Sequence, residues 1–481
     1  MKNNFFILIF TPAFFSYLII DFFSLNYSGV IISILIFIFL SAYSTFDLAR
    51  SILFFWFACV LFPEFPRSIL DLYASLNIGD VEYNVISSVK IGPLTLTNIF
   101  ILYFLFIAVV KVKKVHRYAI LTIPFLLLMF GISLMSTILD LQVRTFFSFP
   151  QLITSSKYYI FILVFSLISM LVLNGNSNKV IVVDLFVRLI ALIPPILGLR
   201  AVFFIVSDFA LKNPSLDLMT QPLLSICAMY FYVLTKNKHF AIYSNPLIFS
   251  LVLISLLTTS RSVMAIVLLS LFFLLMLVFL IKSNLDDKLS SLKKFGRIVV
   301  YLSVTLLTLL VSISITNERL YDFIMWKASE FTFDSNSTPS GSALVRKHEI
   351  INIANDADKN LYVLLFGKGF GSHFNFEYSP PPLNEKLDEK SFPLKEIDNG
   401  EYYNPHTFIA TLLLRFGVLG LGLYLLIPIF TSILFMRKSI PLAILCVLLI
   451  YNYYFRFEFQ LMMVLMFYIA LLVPKHYFKS T

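Results

Sequence analysis

Apolar runs of about 16 to 25 residues recur from one end of this 481-residue chain to the other, each close to the ~20 residues that a helix needs to cross a bilayer core. That repetition constrains the fold more than any motif does. In lipid every backbone N–H and C=O must be satisfied inside the chain, so only helices and closed barrels can span, and runs of this length suit helices. The composition agrees: 59% of residues are hydrophobic and 13% charged, where a soluble domain carries about a quarter charged. The expected class is an all-α polytopic membrane protein. Its first apolar run follows Lys2 directly and has no small-residue cleavage site behind it, so a retained helix is expected, not a removed signal peptide.

Spans are expected near 5–20, 28–44, 49–62, 97–110, 119–138, 158–174, 181–206, 221–235, 246–260, 262–281, 298–315, 406–436, 439–454 and 460–474, about 12–14 membrane helices in all. The apolar stretch 246–281 is too long for one span at 1.5 Å per residue, and is divided at Thr258-Thr-Ser-Arg261-Ser. With the N-terminus inside, alternation sends every basic cluster to the cytoplasm: Lys111/Lys113/Lys114/Arg117, Lys236/Lys238, Lys282 to Arg297, Arg437/Lys438 and Lys475/Lys479. This is the positive-inside pattern. The formal charge of +10 is dispersed in those short clusters, so topology accounts for it and nucleic acid is not an expected partner. Cys59, Cys227 and Cys446 lie inside apolar runs without metal-like spacing and read as buried, inert thiols.

The layout has three parts: N-terminal membrane helices over 1–315, an outward loop over 316–404, and C-terminal membrane helices over 405–481. The loop holds 14 Asp/Glu against 9 Lys/Arg. A connection this long is usually functional. Ser342 is placed as the cap of a helix from about Ala343 to Asn355, and 379–398 reads as an irregular, mobile lid. Three basic groups then fall on the outer side. Arg261 stands at a helix junction, either snorkelling to the interface or binding an anion at helix ends. Arg346 lies on the loop helix, as a surface charge or as an anion ligand. His406 opens the helix after the loop, and an ionisable group there is a functional candidate. Arg200 and Arg144 are further anion candidates. Tyr403 is either part of an interfacial belt or a stacking platform for a sugar. Phe366-Gly-Lys368-Gly-Phe-Gly-Ser372 lacks the Lys-Ser/Thr of a phosphate loop, so it reads as a turn returning the loop to the membrane. Gly417, Gly420 and Gly422 are read as a close helix–helix contact. No metal triad is legible, and no cofactor is expected.

The order of these motifs resembles the bacterial O-antigen polymerase and O-antigen ligase superfamily. The residues that carry the likeness are Thr258-Thr-Ser-Arg261, Arg346 on a loop helix, Leu364-Leu-Phe-Gly-Lys-Gly-Phe-Gly371, and Asn404-Pro-His406 with its nine-residue spacer to Gly417-Val-Leu-Gly420; Thr407 departs from the ligase pattern, which more often has Asn, Ser or Gln there. They span roughly 245–436. The resemblance implies an inner-membrane enzyme with its active site at the periplasmic face. Its glycosyl transfer would be metal-independent and inverting, from an undecaprenyl-diphosphate-linked oligosaccharide. Arg261 and Arg346 would neutralise the diphosphate and His406 would orient or deprotonate the acceptor hydroxyl, with Arg200, Arg144, Tyr403 and Lys368 as substrate-binding residues. Membrane lipid and a chain-length regulator protein are the implied partners. Joining of repeat units by a polymerase is the expected activity. Transfer to the lipid A core by a ligase is the alternative, and a lipid-linked sugar flippase is a rival of another class.

Overall fold

The structure, a computed structural model, describes residues 38–61, 90–91, 94–111, 131, 149–172, 176–206, 222–235, 237–256, 261–281, 285–316, 341–358, 360–379, 392, 394–403, 405, 407–452 and 457–472. Apart from a hairpin of β1 (Lys90–Ile91) with β2 (Leu94–Thr95), this chain is mostly helical. In order come α1 (Leu48–Leu61), α2 (Leu96–Lys111), α3 (Phe149–Val172), α4 (Asn176–Val206), α5 (Pro222–Leu234), a 3-10 segment (Lys238–Ser244), α6 (Pro246–Ile254), α7 (Arg261–Ile281) and α8 (Leu285–Thr316). The loop contributes α9 (Gly341–Asp358), α10 (Leu361–Phe366) and α11 (Leu394–Asn399), before α12 (Phe408–Met436), α13 (Ile440–Asn452) and α14 (Phe457–Leu472).

Two described helical stretches, Val180–Val202 in α4 and Phe408–Met436, are long and apolar enough to cross a membrane. The centre of the bundle is built from helices that are apolar all round, the pattern of fully buried helices. Every residue of α5 is buried, and in α1 all but Arg50 are. Trp56 of α1 lies against Phe186 of α4, and Phe55 against Phe100 and Phe104 of α2. The close helix–helix approach falls at Gly198, where a Cβ would come within 1.8 Å of the Leu251 carbonyl oxygen of α6. Small residues let backbones touch in this way.

The two ends of the bundle can be traced from their polar contacts. Lys111 closes α2 and donates to the Ser44 and Thr45 carbonyls ahead of α1. At the far end of α1, Arg200 Nη1 donates to the Leu61 carbonyl at 2.6 Å. The start of α4 therefore lies at the same end of the bundle as Lys111, and there Asp184 meets His239 Nε2 at 3.0 Å. Lys294 and Ser291 of α8 cap the last carbonyls of α5 at that same end, at 2.8 Å to Tyr232 and 3.3 Å to Val233. Lys438 caps α14 through the Ala470 carbonyl at 2.5 Å. Three clusters from the charge analysis thus supply side chains that satisfy orphan carbonyls at helix C-termini, where a cation also meets the negative end of the helix dipole.

Several expectations change. Residues 285–297 continue α8 as helix and form no loop; the Asp286/Asp287 first turn and the apolar face resumed at Ile298 allow one unbroken rod. Ser342 lies within the first turn of α9, one residue past its start at Gly341. Part of the expected irregular lid is helical, at α11. The expected span 5–20 lies outside the described residues, as does 119–138 except for residue 131.

Candidate functional site at the head of the long helix

The loop is fastened to the first turns of α12 by a small core of its own. Ile353, Phe374, Phe392 and Tyr402 pack with Ala410 and Leu414 of α12. Phe374 and Tyr402 exchange two backbone hydrogen bonds of 3.0 Å, and the Tyr402 ring lies 4.7 Å from Phe392 and 5.0 Å from Phe376. Tyr402 therefore belongs to a loop core and to no interfacial belt. Burial, with the Glu396 carboxylate as a smaller cause, raises its pKa. A single asparagine ties α9 to the next segment: Asn352 Nδ2 donates to the His348 and Ser379 carbonyls, and its Oδ1 accepts from Tyr378 N and Ser379 N at 2.8 and 2.9 Å. All four of its hydrogen-bonding positions are used. His348 Nδ1 meets Ser379 Oγ at 2.7 Å.

The glycine-rich turn does more than return the chain. Gly367 has φ +75° and Gly417, inside α12, has φ +63° and non-helical ψ. These conformations are costly for any residue with a Cβ. The two glycines face one another. A Cβ on Gly367 would lie 2.5 Å from Phe416 N, and one on Gly417 would lie 2.4 Å from the Leu365 carbonyl carbon. Lys368 N donates to the Leu414 carbonyl at 2.7 Å, so the turn fills the gap where α12 loses its own hydrogen bonds. The break also presses the Phe416 side chain back, so that a Cβ at Gly420 would fall 2.0 Å from Phe416 Cβ. Gly417 is thus a helix break that receives the loop, and Gly420 faces Phe416 of its own helix, which corrects the expected helix–helix contact. Nothing lies within 4 Å of a Cβ at Gly422. Tyr159 of α3 completes the joint, with Phe370 at 5.2 Å and Phe416 at 4.9 Å between ring centroids.

The predicted residues separate by environment. Arg346 is exposed in the second turn of α9, and among the described residues it has no hydrogen-bond or ion-pair partner. Arg261 is the first residue of α7, six residues beyond Ser255, which caps α6; its side chain lies outside the described residues, as do His406 and Arg144. Thr407 caps α12, accepting from Ala410 N at 3.2 Å, so the helix starts at Phe408 and His406 precedes the cap. Lys368 is buried, 6% exposed, and ion-paired with Asp356 of α9. Arg200, 2% exposed, holds the end of α1. Tyr403 is half-buried; its hydroxyl donates to Glu401 Oε2 at 2.9 Å and its N–H to Glu396 Oε2 at 3.2 Å. Burial first, then the hydrogen bond to Glu401 and the two carboxylate charges, push its pKa up to about 12. Sequence reasoning passed over Glu401 and Glu396, which lie in an acidic run without a motif. Among the described residues no three His, Cys, Asp or Glu side chains gather as a metal site.

No protein-family model, curated protein or solved structure matches this chain.

Proposed function

We propose that this chain is a polytopic membrane glycosyltransferase that joins undecaprenyl-diphosphate-linked oligosaccharide units into a surface polysaccharide, with its loop end at the periplasmic face. What supports the membrane reading is the outer surface of the bundle. Phe272 and Leu280 of α7 are 60% and 75% exposed, Leu307 of α8 66%, and Ile433 of α12 53%. Apolar faces of this extent suit lipid and are rare on soluble monomers. The lysine-capped end is then cytoplasmic, in keeping with the excess of Lys and Arg in inner loops.

One observation carries the catalytic reading: the docking of Gly367 into the Gly417 break, which fastens the loop bearing Arg346 to the helix head that His406 precedes. Arg346 is exposed beside Lys347, also exposed, and such a cationic stretch is suited to an anionic ligand. Cleavage of a sugar C1–O bond leaves charge on a diphosphate, and guanidinium groups of Arg261 and Arg346 stabilise it by paired, charge-assisted hydrogen bonds. The acceptor hydroxyl oxygen forms the new bond to C1 as the diphosphate leaves with the old bonding pair. An imidazole at His406 takes the hydroxyl proton, a role matched to its pKa near neutrality. Attack from the face opposite the leaving group inverts the anomeric centre.

The test is elongation of lipid-linked repeat units by purified protein in nanodiscs, with and without excess EDTA. A product ladder unchanged by EDTA is expected. Activity lost on chelation and restored by a divalent cation would sink the arginine-based mechanism. A single added unit on lipid A core, with no ladder, would move the assignment to ligase; accumulation of substrate across the membrane without new glycosidic bonds would move it to transport.

A further inference from the structure

The bridge between Phe374 and Tyr402 sorts side chains by alternation: those two rings turn into the loop core, and their neighbours His373, Glu401 and Tyr403 turn to the other face. There they touch. The His373 and Tyr403 rings meet edge to face at 5.6 Å, Tyr403 donates to Glu401 Oε2 at 2.9 Å, and Glu401 Oε1 stands 4.0 Å from His373 Nε2. His373 and Glu401 keep 20% and 33% of their side-chain surface exposed. The segment runs straight into the helix cap, because the Pro405 carbonyl accepts from Thr411 Oγ1 at 3.3 Å. Tyr403 is three residues before His406, a reach of about 10 Å even for extended chain.

We infer that His373, Glu401 and Tyr403 form a subsite for an uncharged, hydroxyl-bearing sugar ring of the acceptor glycan. Two polar atoms 4.0 Å apart are beyond direct hydrogen bonding, and one hydroxyl at ~2.8 Å from each bridges them, donating to Glu401 Oε1 and accepting from His373 Nε2–H. Tyr403 fixes the other carboxylate oxygen, so Glu401 is oriented before the sugar arrives. The carboxylates of Glu401 and Glu396 make this face unsuited to phosphate or uronate, which separates it from the cationic groups assigned to the diphosphate. The inference rests on the glycosyl-transfer reading for the word acceptor, and its chemistry stands on the three side chains.

The experiment measures binding of the free oligosaccharide released by mild acid from the host's lipid-linked repeat units, by isothermal titration to the full-length protein in nanodiscs. Glu401→Gln and His373→Ala should each weaken binding by about tenfold, the worth of one hydrogen bond involving a charged group. Asp398→Asn, an exposed carboxylate on α11, should bind as wild type. Thermal midpoints confirm that each variant is folded. The subsite is overturned if wild type shows no binding at about 10 mM, if both variants bind within twofold of wild type, or if Asp398→Asn weakens binding equally. Elongation run in parallel separates the two readings. Wild type that elongates while both variants bind normally removes the subsite alone; site-dependent binding with no transfer by wild type removes the transferase reading and leaves a sugar site.

Discussion

The two ends of the bundle use positive charge in opposite ways. At one end Lys111, Lys294 and Lys438 reach over neighbouring helices and donate to the Ser44, Tyr232 and Ala470 carbonyls. At the other end the loop closes on itself through an aromatic core. There Arg200 and Lys368 are drawn inside, while Arg346 stays exposed with no described partner. A cation whose donors are used by the fold has little left for a ligand. The contrast separates the described cations: those engaged with carbonyls are architecture, and the exposed arginine on the loop helix is the one to test.

The strongest attempt to break this comparison removes the outward cation. Arg346→Ala should lower single-turnover transfer by roughly 10²–10³-fold, the scale of a lost charge-stabilising donor, with an unchanged thermal midpoint. Arg261→Lys should also impair turnover, since the planar fork is lost while charge remains. His406→Ala should slow transfer by roughly 10²–10⁴-fold with donor binding largely intact. If His406→Ala instead abolished donor binding and left the transfer step unchanged, the histidine would belong with the arginines.

The next largest effect lies at the joint. Gly367→Ala and Gly417→Ala each drive a Cβ into backbone at about 2.5 Å, and such overpacking costs about 1–3 kcal/mol, with positive φ adding about 1 more. The expected readout is faster proteolysis within 341–403 while the bundle still melts near its wild-type midpoint. A joint that tolerated both changes would show that the loop docks elsewhere. Smaller again are the caps at the lysine-rich end: Lys294→Met and Lys438→Met should each cost about 0.5–1.5 kcal/mol in stability and leave transfer untouched. A large loss of transfer from either would dissolve the distinction between the ends.

The smallest effect is in pH. The folded pKa of Tyr403 lies above its ordinary value, at about 12, because the neutral phenol is the form that is buried and bonded to Glu401. The contribution of that phenol to loop docking is full below about pH 10 and is lost as pH rises from there through about 12. Tyrosinate absorbance at the loop should appear late in titration, and Tyr403→Phe should remove the associated loss of docking in that window.

The helices were legible because apolar runs and charge alternation report directly on burial and on helix ends. Spans placed at 49–62, 97–110 and 221–235 agree within a residue or two with α1, α2 and α5. Contacts between distant segments were not legible. Gly417 and Gly420 carry the small-residue spacing of a helix crossing, yet Gly417 meets a turn 50 residues earlier and Gly420 meets Phe416 of its own helix, and nothing local distinguishes these uses. The basic clusters were legible as breaks between apolar runs but not as caps, because capping depends on which helix ends beside them. Thr407 was read as a departure from a pattern, and its role as the N-cap of α12 follows from backbone geometry that residue identity alone suggests without fixing. Glu401 and His373 were hidden for the same reason: their meeting is set by the Phe374–Tyr402 bridge.

The break at Gly417 has a consequence for the chain's tolerance of length. Below it, 418–436 is a rod whose azimuth is set by the bundle; above it, 408–416 is a separate, shorter rod held by the loop. At 3.6 residues per turn, those nine residues advance about 13 Å and turn through about two and a half circles, so they fix both the height and the compass bearing of the Thr407 cap relative to the glycine joint. Substitution along this interval changes a surface, whereas insertion of one residue would swing the Thr407 cap by about 100°. The nine-residue interval is therefore a measured distance, and indels there are predicted to be far less tolerated than anywhere in the neighbouring acidic loop.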